Sequence, residues 1–365
     1  MIDPMRRVLV AAVAALLAPA GAAAALPRST VDRLDEQRGP QFHFVYALPA
    51  DGVDRRLDET GALEGSVASF QAWLAAETGG ANLRVDTYQG SLDVSFFRLA
   101  ASDATLAARG AFVREGVEQE LRAAGFDRPD RIYAVYYDGS STYACGGAFW
   151  PPQLQGNAVV MYLRGRPPGA FCENNGFASA SAPPTYWEYA MLHDLLHGLG
   201  IVATCAPHHH LAGHVSDFAN DLMWAGNQPW SFPARLDIGR DDYYGHGRAD
   251  CADLARSPYL TSNAPPPPVL AVVRFTATAR ARPGKSFDAT LAVTIDGAPA
   301  ASGAARCAAK LGTRALRPIA ASFSGSAARC RWRLPVTARG KRLTGSVQAV
   351  VGALAAKRTF SRVVR

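Results

Sequence analysis

His193-Asp194-Leu195-Leu196-His197-Gly198-Leu199-Gly200 is the stretch on which the reading of this chain turns. Histidines four residues apart on a helix stand on one face, one turn above the other. Their imidazoles then point at one place, where a metal ion can be shared. Pro183-Pro184 precede the run and Gly200 closes it, so the pattern predicts a helix from near Thr185 to Gly200. Leu192, Leu195, Leu196 and Leu199 give that helix an apolar side to bury. A histidine-rich loop follows directly, with His208, His209, His210 and His214.

Metal-binding helices of the pattern His-Glu-x-x-His use the glutamate as a general base. Asp194 occupies that position here. Aspartate keeps the carboxylate but retracts it by one C–C bond, about 1.5 Å. A misplacement of about 1 Å costs on the order of a hundredfold in rate. Three outcomes follow: a backbone shifted to compensate, a slow enzyme, or a zinc-binding protein without catalysis.

His193-x-x-x-His197-x-x-Gly200, with Asp221-Leu222-Met223-Trp224 further on, resembles the metzincin zinc metalloproteases, and the short secreted snapalysin-like proteases in layout. The resemblance covers roughly residues 157–224 and implies an α/β (α+β) zincin-like catalytic domain, Zn2+ as cofactor and a peptide or protein substrate. It implies His193 and His197 as metal ligands, Asp194 as general base and Met223 in a turn beneath the metal. The family's third ligand falls on Ala203, which has no donor atom. Zinc sites in enzymes want three protein ligands and one open position. The loop offers His208 first, because it follows Pro207 soon after the helix. His214 is the next choice, with Asp217 placed to orient its ring. Tyr243 or Tyr244 is the expected oxyanion donor. The surrounding Asp241-Asp242-Tyr243-Tyr244-Gly245-His246 is equally suited to calcium or to packing.

Other chemistries find less support. The chain has neither G-x-S-x-G nor a phosphate-binding glycine loop. Cys145-Gly146-Gly147 hints at a thiol nucleophile, but an even cysteine count argues for a disulfide there. Glu188 and Asp217 lack the pattern of a glycosidase pair.

The start of the chain sets the compartment. Arg6 and Arg7, an apolar run from Val8 to Leu17 and small residues to Ala25 make a secretory signal over residues 1–25. The apolar run is too short to span a bilayer. An exported monomer without a membrane span is expected. Six cysteines fit an oxidising compartment. Cys307 pairs with Cys330. The other four allow three pairings, and chain proximity favours Cys145–Cys172 and Cys205–Cys251. No C-x-x-C spacing supports a cysteine zinc site.

At 365 residues the chain holds two domains. The expected division is a zincin-like domain over 26–262, a proline-rich linker over 263–268 and a basic β-sandwich over 269–365. Residues 1–264 carry 20 Lys and Arg against 29 Asp and Glu, a net of −9. Residues 265–365 carry 18 against 2, a net of +16. The N-terminal half reads as strands at 41–48, 83–88, 92–99, 132–137 and 158–163, with helices at 63–77 and 111–124. The tail alternates in short strands, with one cysteine pair and Trp332, as an immunoglobulin-like sandwich would. Its charge favours anionic cell-wall or surface polymers. It has no motif for specific nucleic-acid recognition. The function expected is a secreted zinc-dependent metallopeptidase. The alternative is a non-catalytic exported zinc-containing protein whose tail attaches to anionic polymers.

Overall fold

Gln41–Leu48 (β1) is buried along its whole length. In the computed structural model, which describes residues 26–169, 171–226, 228–265 and 267–365, it is an inner strand of a five-stranded sheet. The expected signal segment 1–25 and Pro266 of the linker lie outside the described residues.

The partners of β1 are Val94–Arg98 (β2) and Arg131–Tyr137 (β3), both parallel to it. Ala158–Tyr162 (β5) continues in parallel beside β3, and Gly146–Gly147 (β4) runs antiparallel along β5 at the edge. The order is therefore β2-β1-β3-β5-β4. Side chains alternate across such a sheet with period two. Phe42, Phe44, Tyr46 and Leu48 enter one core, beneath helices Ala62–Thr78 (α1) and Tyr186–Gly198 (α3). Val45 and Ala47 enter the opposite core, beneath Val113–Ala123 (α2). A mainly parallel sheet covered on both faces explains why β1 reads as an unbroken apolar run.

The stretch predicted as a strand over 83–88 forms a two-residue ladder, Thr87–Tyr88 with Ser91–Leu92, and isolated bridges from Val85 to Phe42 and from Leu83 to Leu260. Its polar side chains find partners of their own. Arg84 is buried and donates to the carbonyls of Leu260 and Asn263, while Asp86 is held by His43.

Among the described residues, eight strands of three residues or more build the C-terminal domain: Leu270–Ala277 (β8), Ser286–Ile295 (β9), Ala304–Leu311 (β10), Arg314–Leu316 (β11), Ala320–Ser324 (β12), Ala327–Arg333 (β13), Arg342–Val351 (β14) and Leu354–Val363 (β15). One sheet has the order β8-β9-β13-β12 and the other β11-β10-β14-β15, all antiparallel. Cys307 in β10 and Cys330 in β13 bridge the two sheets. Phe287, Trp332, Val347 and Phe360 fill the space between them. Asp296 and Gly297, both at positive φ, turn the chain after β9 so that Ala298–Pro299 pairs back on it. The mixed sheet domain and the all-β tail agree with the expected α/β and sandwich parts. The cysteines pair as chain proximity suggested, Cys145–Cys172 and Cys205–Cys251. Among the described residues, no helix is long and apolar enough to cross a membrane.

Candidate metal centre

The helix α3 begins with a capping box. Glu188 Oε2 accepts from the backbone N–H of Thr185 at 2.9 Å and from its hydroxyl at 2.6 Å. The other oxygen accepts from Ser66 Oγ at 2.5 Å and from the Ala178 N–H at 3.1 Å. Glu188 therefore anchors the helix start to its surroundings and has no catalytic pairing with Asp217. Trp187, Met191, Leu192, Leu195 and Leu196 are buried against the sheet. That packing fixes the helix rotation and so aims His193 and His197.

Past the helix, Gly200 adopts φ 70°, and a Cβ there would come within 2.8 Å of the Pro151 carbonyl oxygen. Glycine is the residue this exit requires. The chain then returns as a short ribbon, His209–His210 (β6) against His214–Val215 (β7). Trp150 holds the ribbon from below. Its indole donates to the Ile201 carbonyl at 3.1 Å and stacks on His209.

This return brings three ring nitrogens together. His193 Nε2 lies 2.9 Å from His197 Nε2, and His214 Nε2 lies 3.2 Å from both. The tautomers of two rings are set by their outer nitrogens. His193 Nδ1 donates to the Leu222 carbonyl at 2.7 Å, and His214 Nδ1 donates to the Leu211 carbonyl at 2.7 Å. A carbonyl only accepts, so both Nδ1 atoms carry the proton and both Nε2 atoms present lone pairs. Two lone pairs facing each other at 3.2 Å repel. One proton on His197 Nε2 relieves a single contact. His197 Nδ1 is buried without any partner. A cation at the centre satisfies all three nitrogens. Nitrogens about 2.0–2.1 Å from one tetrahedral zinc lie about 3.3–3.4 Å apart, close to the spacing seen. The residues present thus fit a zinc ion.

Burial and mutual repulsion keep these rings neutral. The His193 imidazole is pushed down to about 4 by burial and by His214. Burial also lowers His197 and His214. Metal ligation needs neutral imidazole, so both effects favour it.

Asp194 is half-buried, with its carboxylate close to Gly146 of the edge strand. A Cβ on Gly146 of β4 would come within 2.4 Å of Asp194 Oδ2 and 2.3 Å of Met161 Cε. Burial pushes the Asp194 carboxyl up to about 8. Its charge in turn adds to the effect of burial in raising the hydroxyls of Tyr162 and Tyr186. An open cleft of about 290 Å³ beside His193 is walled by Tyr186, Tyr189, Trp224 and Trp230, with Leu222 at its base.

Several of the residues expected at the site lie elsewhere in the structure. His208, the first choice for third ligand, lies outside the cluster, where its Nδ1 meets Asp242 Oδ2 at 3.0 Å. The ribbon turns between them and delivers His214 instead. Asp217 does not orient His214; it lies 3.7 Å from His208. Tyr243 is fully buried, and its hydroxyl donates to Asp221 Oδ1 at 2.8 Å. Tyr244 donates to the Thr78 carbonyl at 3.1 Å. Neither hydroxyl is placed to serve as an oxyanion donor. Met223 is buried below the site, and its N–H donates to Asp221 Oδ1 at 2.8 Å. The roles of the Leu211 and Leu222 carbonyls and of Gly146 have no sequence signature, because backbone acceptors and long-range contacts leave no local pattern.

No family model matches the chain. No curated protein matches it. Among solved structures, it is similar to a twitchin kinase fragment from C. elegans with kinase and immunoglobulin domains, at 14% identity, over 27% of this chain and 20% of that one, with a TM-score of 0.18. It is similar to a chimeric titin Z1Z2 carrying a peptide from decorin, at 17% identity, over 26% and 97%, with a TM-score of 0.17. The mouse nectin-like molecule 4 ectodomain matches at 18% identity, over 27% and 33%, with a TM-score of 0.15. Likenesses at these TM-scores carry no argument about fold or chemistry.

Proposed function

We propose that the chain is a secreted zinc-dependent metallopeptidase whose basic C-terminal domain attaches it to an anionic surface. The observation that carries this reading is the convergence of three Nε2 atoms, two of them locked as lone-pair donors by backbone carbonyls. His193, His197 and His214 would hold the metal. When bound, zinc supplies a Lewis acid and makes water acidic enough to attack at neutral pH.

The chain's own residues supply the rest. Asp194 is the carboxylate beside the ligand pair, and it takes and returns a proton at Oδ2. It lies against the edge strand β4, whose outer side offers unpaired backbone groups to an extended peptide. The aromatic cleft beside His193 accepts a large apolar side chain of that peptide and excludes water from it.

The tail supports attachment through charge. A cleft of about 760 Å³ is lined by Arg280, Arg282, Arg342, Arg362 and Arg365. Among the described residues, none of these five guanidinium groups has a carboxylate within 4.0 Å. Three disulfides fit an exported protein.

Peptide turnover tests the reading. Chelation should abolish it, zinc should restore it, and Asp194→Asn should lower it about 10²–10⁴-fold. Equal turnover by Asp194→Asn would remove Asp194 from the reaction. The aspartate in the glutamate position favours a second reading, a zinc-holding protein without catalysis. Zinc retained without any turnover would identify it. Attachment of the full chain to an anionic polymer should weaken steeply with salt; no attachment at low salt would retire the role of the tail.

A further inference from the structure

His208 is displaced from the three-histidine centre, and it heads a second cluster. Its Nδ1 lies 3.0 Å from Asp242 Oδ2, 3.7 Å from Asp217 Oδ2 and 3.8 Å from Asp241 Oδ2. Donors about 2.0–2.1 Å from one tetrahedral zinc are spaced about 3.3–3.4 Å, within the range of these distances. Asp217 adds an independent sign. Its side chain is only 10% exposed and is turned toward His208. Its Oδ1 is sealed from solvent with no hydrogen-bond donor. A buried carboxylate oxygen in that state is costly unless a cation reaches it.

Charge balance points the same way. Three carboxylates meet one imidazole, and among the described residues no Lys or Arg lies within 4.0 Å of Asp217, Asp241 or Asp242. The neighbouring arginines are engaged elsewhere: Arg240 on the Glu77 carbonyl and Arg248 on Asp250 and the Cys205 carbonyl. The other acidic group of the domain, Asp32, Asp86 and Asp93 around His43, differs in this respect. Arg33, Arg128 and Arg131 are within 4.0 Å of its carboxylates and offset their charge.

We propose that His208, Asp241 and Asp242 form a second divalent-metal site, of mixed imidazole and carboxylate donors, with the Asp217 carboxylate beside it, that clamps the loop delivering His214. The donor set suits a zinc-class ion, since calcium takes oxygen ligands and leaves an imidazole unused. His208 lies on the loop that carries His214. Asp241 and Asp242 come from the loop 237–253, which Cys205–Cys251 already ties to the first. The metal adds a further tie beside Asp242, whose Oδ1 already accepts from the His208 N–H at 2.8 Å, and it offsets the charge of the neighbouring carboxylates. No ligand is shared with the three-histidine centre, so the two sites stand or fall separately.

The test is zinc titration of the full chain after chelator stripping, by calorimetry, with melting temperature as a second readout. The wild-type chain should take up about two zinc ions. His208→Ala and Asp241→Asn should each take up about one, and so should His197→Ala. Asp241 is half-exposed, so its variant should fold. In His197→Ala, zinc should still raise the melting temperature, and adding Asp241→Asn should abolish that rise. Two ions bound by both His208→Ala and Asp241→Asn would overturn the proposal. A rise produced by calcium alone and preserved in His208→Ala would overturn the ligand assignment. One ion in the wild type, lost in Asp241→Asn and kept in His197→Ala, would support the second site while defeating the three-histidine centre.

Discussion

His193 Nε2 and His214 Nε2 face each other at 3.2 Å, each with its proton held on the far nitrogen by a main-chain carbonyl. Twenty residues of chain separate them, and two short segments close the gap. Leu222, next to the buried Met223, fixes the first ring, and Leu211 at the ribbon turn fixes the second. The relationship is built by the backbone, so it persists only while both segments keep their course.

Gly146→Ala tests the packing around Asp194. The new methyl would stand 2.4 Å from Asp194 Oδ2, so the carboxylate or the edge strand must move. Peptide turnover should fall by about a hundredfold, since about 1 Å of misplacement costs that much. Melting temperature should fall only modestly. Unchanged turnover would show that Asp194 tolerates displacement.

Asp194→Glu lengthens the carboxylate by one methylene in a space already filled by Gly146 and Met161. Overpacking of this kind costs about 1–3 kcal/mol. The rate should stay level or drop, since the site has been shaped around the shorter side chain. A rate several times the wild-type value would mean that Asp194 is simply a retracted base.

Tyr243→Phe removes a buried donor from Asp221, which burial pushes up to about 7. Leaving that acceptor short should cost about 1–3 kcal/mol in denaturant unfolding. Turnover per folded, zinc-loaded molecule should not change. A loss of turnover without loss of stability would restore Tyr243 as an oxyanion donor.

Acid should weaken the chelator-stripped protein through the histidine cluster. Burial lowers all three rings in the folded state, His193 to about 4, while the unfolded chain protonates near 6.5. The unfolded state then binds more protons as pH falls from about 6.5 toward 4, so stability drops across that window. His43 acts with opposite sign. Burial lowers it, but Asp86 and Asp32 outweigh burial and raise it. Its contribution is full below about 6.5 and is lost as pH rises through the raised value. Unfolding midpoints should show a shallower acid slope in His193→Gln/His197→Gln than in the wild-type chain. Equal slopes would contradict the assignment.

Much of the fold is legible in the sequence, for identifiable reasons. Gln41–Leu48 reads as a strand because an inner parallel strand is apolar on both faces. Thr185 and Glu188 mark the start of the helix Tyr186–Gly198, and spacing alone puts His193 and His197 on one side of it. His214 could not be separated from His208 in this way. Both sit on one loop, and the choice is made by Trp150, the ribbon turn and the Leu211 carbonyl, none of which has a local signature. Tyr243 misled because an aromatic beside aspartates reads alike whether it faces a cleft or the core. Strands 314–316 and 320–324 have little signature in the sequence because they are short and largely exposed.

The most direct test of the central claim is a crystal of the zinc-loaded chain measured on both sides of the zinc absorption edge. The account predicts an anomalous peak about 2.0–2.1 Å from Nε2 of His193, His197 and His214 alike. Density showing the three rings in place with no anomalous peak between them, from protein that had been offered zinc, would contradict it.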